Sequence, residues 1–273
     1  MRSEITSGTR LLCAFVISVF LVSAHADGSN GYEDANLGGG LTMGGLRRTP
    51  PLGQRGIDKM ALLLDTRPVT DFVYVGLTIF QNKRFESDDP ALITDAIIAG
   101  HFQRFFADKS AIELVDQTAS KLKFLPFISF SAWNGEAKFV DDPALTAWLD
   151  EMAGQGIDAI LLMQELDERD FLGKSGEAIG SKGLYRRGKQ VHVFGGFRIC
   201  VIDIHTRKLM KNTYFAQGAT KITDTLPLRK EYSEYTGDER KQLAAELSGI
   251  YAFNIERALL ALKVDQSEAT EIR

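Results

Sequence analysis

The sequence predicts an α/β domain: a mixed, mostly central β-sheet with helices packed on it. The expected order is strand, strand, helix, strand, inserted hairpin, helix, strand, strand, strand, helix. Three observations carry this. Short apolar runs rich in β-formers recur as KMALLLD (59–65), FVYVGLTIF (72–80) and IDAILLMQEL (157–166); a run with no polar face suits a strand covered on both sides. Helix starts fall between and after these runs, at Asp89–Pro90, Asp142–Pro143 and the T-x-x-E of Thr236 and Glu239. Asn134–Gly135 lies between two β-like runs, where it permits the positive φ angles of a type I′ hairpin turn.

The elements follow in chain order. Arg2 and Arg10 precede an apolar run, LLCAFVISVFLV (11–22), and then the small-residue site Ala24–His25–Ala26. This is the layout of a signal peptide over residues 1–26. The run reaches only ~20 Å as a helix, against ~30 Å of hydrocarbon. Cys13 opens the run instead of following it, so it is not a lipid-attachment site. The expected product is exported, periplasmic or secreted, with no stable membrane anchor after cleavage. Residues 27–56 (NLGGGLTMGGLRRTPPLGQRG and its flanks) read as a flexible Gly/Pro-rich arm. A single α/β domain is expected over 57–264, with a frayed tail over 265–273.

Within the domain, Asp89–Pro90 opens a helix to about Ala107, with Ile98, Phe102, Phe105 and Phe106 on its apolar side. AIELVD (111–116) is a short strand, and FLPFISFSAWNGEAKFV (124–140) is the inserted hairpin. Asp142–Pro143 starts a helix whose Leu145, Trp148, Leu149 and Met152 repeat at i, i+3, i+4, i+7. QVHVFGGFRICVIDI (190–204) and KLMKNTYFA (208–216) should pair antiparallel across a turn at His205–Thr206–Arg207. The last helix carries Leu247, Tyr251, Ile255, Ala258 and Leu262 as its stripe.

Composition excludes several functions. A net charge of −4 over 273 residues argues against general nucleic-acid binding, which needs a basic footprint. Of two cysteines only Cys200 follows the leader, so no internal disulfide is expected. Gly173–Lys174–Ser175 resembles the end of a phosphate loop, but the required glycine five positions earlier is Glu168, and a strand follows instead of a helix. No nucleotide, cofactor or metal is therefore expected, and no catalytic residues are assigned.

The remaining candidates are few. Cys200 and His192 share strand parity but stand ~26 Å apart at strand spacing, His205 is ~17 Å away, and His101 is on another helix, so a buried structural thiol is expected. Glu165 and Asp167 project together at a strand end, where a solvated carboxylate pair or an acid/base cluster fits. The loop 171–189 is read as a long hairpin connection in which Lys174, Lys182, Arg186, Arg187 and Lys189 flank Tyr185. Phe127, Phe130 and Trp133 of the inserted hairpin form either core or an exposed docking patch. Candidate partner-binding residues are thus Phe127, Phe130, Trp133, Tyr185, Arg186 and Arg187.

The stretches VGLTIFQN (75–82), IELVD (112–116), GIDAILLMQEL (156–166) and VIDIHTRKLM (201–210) together resemble an exported α/β domain. That domain is shared by the curli-export lipoproteins (CsgG), the amino-terminal domain of TolB and the outer-membrane activators of penicillin-binding proteins. Asp203, Thr206, Arg207 and Lys208 stand where those families end a strand in D-x-x-T-G-K. No pair of long alternating hairpins is present to build a channel. The resemblance implies a non-catalytic envelope domain with a protein partner. The expected function is a protein-interaction domain serving an envelope or secretion assembly. The alternatives are a periplasmic hydrolase built on the Glu165/Asp167 carboxylates, or a small-ligand binder at the strand ends near Asn82, Lys83 and Gln164.

Overall fold

The computed structural model describes residues 32–34, 50–75, 83–89, 91–118, 128–130, 137–139, 142–165, 181–210, 213 and 215–264. All of them fall in one compact unit, Gly31–Arg273. The leader expected over 1–26, the tail and the residues Asn82, Phe127, Trp133 and Asp167 lie outside the described residues.

The chain runs through β1 (Tyr32–Asp34), β2 (Lys59–Asp65), β3 (Thr70–Val75), β4 (Lys83–Ser87), α1 (Asp95–Lys109) and β5 (Glu113–Asp116). It continues with β6 (Ile128–Phe130), β7 (Ala137–Phe139), α2 (Pro143–Gly154), β8 (Ala159–Glu165) and β9 (Lys182–Arg187). The last elements are β10 (Gln190–Asp203), β11 (Lys208–Leu209), β12 (Phe215–Thr223) and α3 (Gly237–Ala261). One curled mixed sheet has the order β4-β3-β9-β10-β8-β2-β5, with β12 and β11 also on β10 and β1 on β12.

The 14-residue β10 organises the sheet. One edge of it pairs with β12 from Val191 to Ile199. The other edge is shared end to end. β9 takes Gln190–Gly195, and β8 takes Phe197–Asp203. The sheet therefore forks at Gly196. A first arm (β9, β3, β4) and a second arm (β8, β2, β5) diverge from a common ribbon.

Helices cover the arms unequally. In the second arm β2 is parallel to both β5 and β8. Met60, Leu62, Leu161 and Met163 meet α1 and α3 on one face, while Ala61, Leu63, Ile160 and Leu162 meet α2 on the other. Burial on both faces is what makes these strands continuously apolar. In the first arm Phe72, Leu184, Val191 and Val193 meet α3 on one face. Among the described residues no helix packs on the opposite face. The 25-residue α3 is ~37 Å long and spans the fork: its first half packs on the first arm and its second half on the second. It crosses β10 at Gly195, where a Cβ would stand 2.7 Å from Ile250 Cγ2. Asn254 Nδ2 donates to the Gly195 carbonyl there at 3.0 Å.

The expected caps at Asp142 and Thr236 form. Asp142 accepts from the N–H groups of Ala144 and Leu145, with Pro143 in the first turn. Thr236 and Glu239 close a capping box. Several expectations are corrected. α1 starts at Asp95 with Thr94 as its cap, not at Asp89. Asp89 instead accepts from the Ala91 N–H and the Tyr232 hydroxyl. An unexpected strand, β4, pairs antiparallel with β3. The stretch 208–216 splits into β11 and the start of a longer β12. The expected long connection over 171–189 is cut by β9, which pairs with β3 and β10. Inside the segment read as an arm, β1 pairs with Ala219–Lys221 and Leu52 is fully buried. The inserted hairpin forms as a separate two-stranded sheet, with Ile128 opposite Phe139 and Phe130 opposite Ala137. The Phe130 side chain lies outside the description.

Candidate functional site

Three places carry chemistry, and the fork is the first. β8 ends and β9 begins on the same edge of β10. Glu165 is therefore opposite Phe197, Lys182 opposite Gly195, and the Gly196 N–H donates to the Ser181 carbonyl at 2.8 Å between them. The Glu165 carboxylate receives Lys182 Nζ at 2.7 and 2.8 Å, Ser181 Oγ at 3.2 Å and the Arg67 N–H at 2.7 Å. The Tyr251 hydroxyl from α3 donates to it as well. Lys182 Nζ also donates to the Arg67 carbonyl at 2.6 Å. Residues 66–69 carry the chain from the second arm to the first, so the ion pair ties both arms, their connection and α3 together. Burial and the neighbouring Glu165 charge push the Tyr251 phenol well above its ordinary value. A buried carboxylate holding five hydrogen bonds has its acceptor sites filled. Glu165 is not the solvated strand end weighed above but the bonded centre of the fork, and its expected companion Asp167 lies outside the described residues. Lys182, expected in a solvated loop, is its buried counter-ion.

Close by, the fully buried Asp71 accepts from Arg84 Nε at 3.1 Å and from Arg67 Nη1 at 3.5 Å. Burial raises its carboxyl above the ordinary range, and the Arg84 guanidinium opposes that rise. Asp71 sits beside Gly183, whose φ is +149° and where a Cβ would lie 1.7 Å from the Asp71 carbonyl oxygen. Only glycine permits that approach.

The second place is the face of the first arm that no described helix covers. Alternation puts Tyr185 there, stacked on His192 at 4.5 Å between centroids and tilted against Phe194 at 5.8 Å. Ile222 is opposite His192 in register and is 40 % exposed. Arg84 and Glu86 continue the face, paired at 2.9 Å. Of the three sequence candidates in this region, Tyr185 lies on this face. Arg186 points to the other side, over the Tyr74 ring at 5.7 Å, with Nε donating to the Gly188 carbonyl at 2.9 Å. Arg187 pairs with Gln190 and Val75 in register. The structure thus separates Tyr185 from Arg186. Ile222 and His192 were missed because they come together only through the β9–β10–β12 register.

The third place is the carboxyl end of the adjacent parallel strands β2 and β8. Gln164 Nε2 donates to Asp65 Oδ2 at 3.0 Å on the α2 face. Gln164 is 4 % exposed, and its Oε1 has no hydrogen-bond partner.

The remaining titratable candidates are structural. Cys200 is buried against α2, and burial pushes its thiol up to about 12, far from a nucleophilic thiolate. His101 bonds Ser248 at 3.0 Å between α1 and α3; burial, aided by Arg104, lowers it to about 4. Among the described residues no group of three or more His, Cys, Asp or Glu is arranged to hold a metal. No described helix is long and apolar enough to cross a membrane.

No protein-family profile and no curated protein matches the chain. Among solved structures it is similar to the hypothetical protein CT253 from Chlamydia trachomatis, with a TM-score of 0.39, 10 % identity, and coverage of 76 % of this chain and 96 % of that one. It is also similar to the PelC dodecamer from Paraburkholderia phytofirmans, with a TM-score of 0.30, 13 % identity, and coverage of 77 % and 90 %. The likeness is remote; no residue role is carried over from either protein.

Proposed function

We propose that this chain is an exported, non-catalytic interaction domain serving an envelope or secretion assembly, and that its partner docks on the face of the first arm around Tyr185, His192 and Ile222. One observation carries the reading: a sheet face that no described helix covers presents two stacked rings and a substantially exposed isoleucine. Aromatic and apolar side chains grouped at one place are the usual anchors of a protein interface. The occupied Glu165 carboxylate and the buried Cys200 thiol support a binding role over a hydrolytic one.

The test is site-specific photo-crosslinking in the envelope. A crosslinker at Ile222 is expected to capture one protein that the same crosslinker at Leu260, on the remote end of α3 and 46 % exposed, does not. The pair is then rebuilt from purified components, where Tyr185→Ala should weaken it at least tenfold with Tm nearly unchanged. Equal capture at both positions, or a rebuilt complex indifferent to Tyr185, overturns the reading.

A further inference from the structure

We propose that the outer edge of β12 is a strand-addition site: an extended segment of the partner protein pairs antiparallel with β12, displaces β1 and sets an apolar side chain beside Ile222. This rests on the docking face proposed above and names the form in which the partner reaches it.

The margins of the sheet are built differently. β4 and β5 end the strand order. Both are short and charged: KRFES carries Lys83, Arg84 and Glu86, and ELVD is bounded by Glu113 and Asp116. Shortness and charge are the usual means of keeping an edge from pairing with another chain. β12 has neither. Its nine residues, FAQGATKIT, hold one charged side chain, Lys221, and that ammonium is paired with Glu246 of α3 at 2.8 Å. The inner edge of β12 pairs with β10 from Phe215 to Thr223. Among the described residues its outer edge is paired by β1 alone, over three residues.

β1 shows what this edge accepts. It lies antiparallel, with Tyr32 opposite Lys221, Glu33 opposite Thr220 and Asp34 opposite Ala219. In strand addition, main-chain hydrogen bonds supply affinity and side chains at alternate positions supply specificity. Lys221 faces α3, so alternation turns Thr220 and Ile222 to the opposite face, that of Tyr185 and His192. β1 starts one position short of Ile222, which is 40 % exposed. The preceding residue in the sequence, Gly31, has no side chain to place there. The chain's own segment thus leaves unfilled the position where the edge meets the docking face. A longer strand in the same register sets a side chain opposite Ile222, and an apolar one buries both. At three residues β1 is at the lower limit of strand length, so few main-chain bonds are lost when a longer strand replaces it.

The test titrates the full mature chain with a nine-residue peptide of sequence 29–37 carrying Gly31→Val, which brings an apolar residue opposite Ile222; the unaltered peptide is the comparison. The backbone amides of residues 219–223 are followed by NMR. The Gly31→Val peptide is expected to shift them saturably in the millimolar range, and the unaltered peptide at least fivefold more weakly. Glu33→Pro in the protein weakens β1 as a competitor and should tighten the peptide at least threefold. Glu33→Cys with Thr220→Cys puts two thiols at directly opposed positions, where Cα atoms about 4.5–5.5 Å apart suit a disulfide. Oxidised, this pair should abolish the shifts and weaken the rebuilt partner complex at least tenfold, and reduction should restore both. No saturable shift with the parent or with Glu33→Pro overturns the proposal, as does a shift or a complex that the oxidised pair leaves unchanged. Equal binding of the two peptides overturns the apolar assignment. The docking face is judged apart, by Tyr185→Ala: peptide bound at β12 with a complex indifferent to Tyr185 fails the face alone, and a Tyr185-dependent complex with no peptide shift fails strand addition alone.

Discussion

The two arms of the sheet solve the same problem differently. The second arm is sandwiched: α1 and α3 on one face and α2 on the other leave β2 and β8 no wet side. Among the described residues a helix covers the first arm on one face only, and its other face carries Tyr185, His192, Arg84 and Glu86 beside the buried Val73 and Phe194. Helices dry both faces of β2 and β8, whereas the first arm's face without a described helix is where the proposed docking would occur. Besides β10 and the 66–69 connection, the Glu165–Lys182 ion pair and α3 join the arms among the described residues, so substitutions at the junction should act on both.

The largest effect is expected at the close approach of β3 and β9. Gly183→Ala puts a Cβ 1.7 Å from the Asp71 carbonyl oxygen at a φ of +149°, so it should cost more than ~4 kcal/mol. It should also detach the first arm, seen as fast amide exchange in β3 and β9 with β2 and β8 still protected. Protection lost evenly in both arms would mean that they are not separable units.

The fork itself comes next. Lys182→Met strands the buried Glu165 carboxylate among its other donors and should cost ~3–5 kcal/mol. The double variant with Glu165→Leu should recover part of that, since an apolar pair removes both buried charges. A urea midpoint for Lys182→Met within error of the parent would show that the ion pair does not tie the arms.

A pH experiment separates the helix pair from the fork. His101 titrates at about 4 in the fold and at 6.5 unfolded. Between those values the unfolded chain binds more protons, so stability is full above pH 6.5 and declines as pH falls toward 4. The decline is at most about 3 kcal/mol from this group. His101→Gln should flatten that window and leave the neutral-pH stability of the first arm unchanged. A slope unchanged by the substitution would assign the dependence elsewhere.

The smallest effects are at Cys200 and Tyr185. Cys200→Ala removes a small hydrophobe and should cost ~1–2 kcal/mol, and the native thiol should resist alkylation until the protein unfolds. Tyr185→Ala loses one partly exposed cross-strand stack and should cost at most ~1 kcal/mol, while weakening the rebuilt complex at least tenfold. A large drop in Tm there would make the stack core and remove the argument for an exposed docking face.

The contrast between the arms also explains what could be read in advance. KMALLLD and AILLMQE are legible because burial on both faces leaves no polar position in their central runs MALLL and AILLM. KRFES of β4 and KGLYRR of β9 were missed because only alternate residues meet α3, and such short alternation is lost among charges. Asp142 and Thr236 were legible as caps because a cap bonds within a few residues of itself. Asp89 failed as a cap because its hydroxyl partner, Tyr232, is remote in sequence.

The sequence by itself determined the α/β class, the apolar strands of the second arm, two helix starts and the inertness of Cys200, since each rests on local periodicity or burial. Only the tertiary structure decided that Lys182 is buried, that Glu165 is bonded and that Gln164 keeps an unpaired oxygen. It also decided that Tyr185 joins His192 and Ile222 while Arg186 turns away. Each of these depends on the register of strands distant in the chain. A side chain's charge is written in the sequence, but its partner is chosen by which strands the sheet sets side by side.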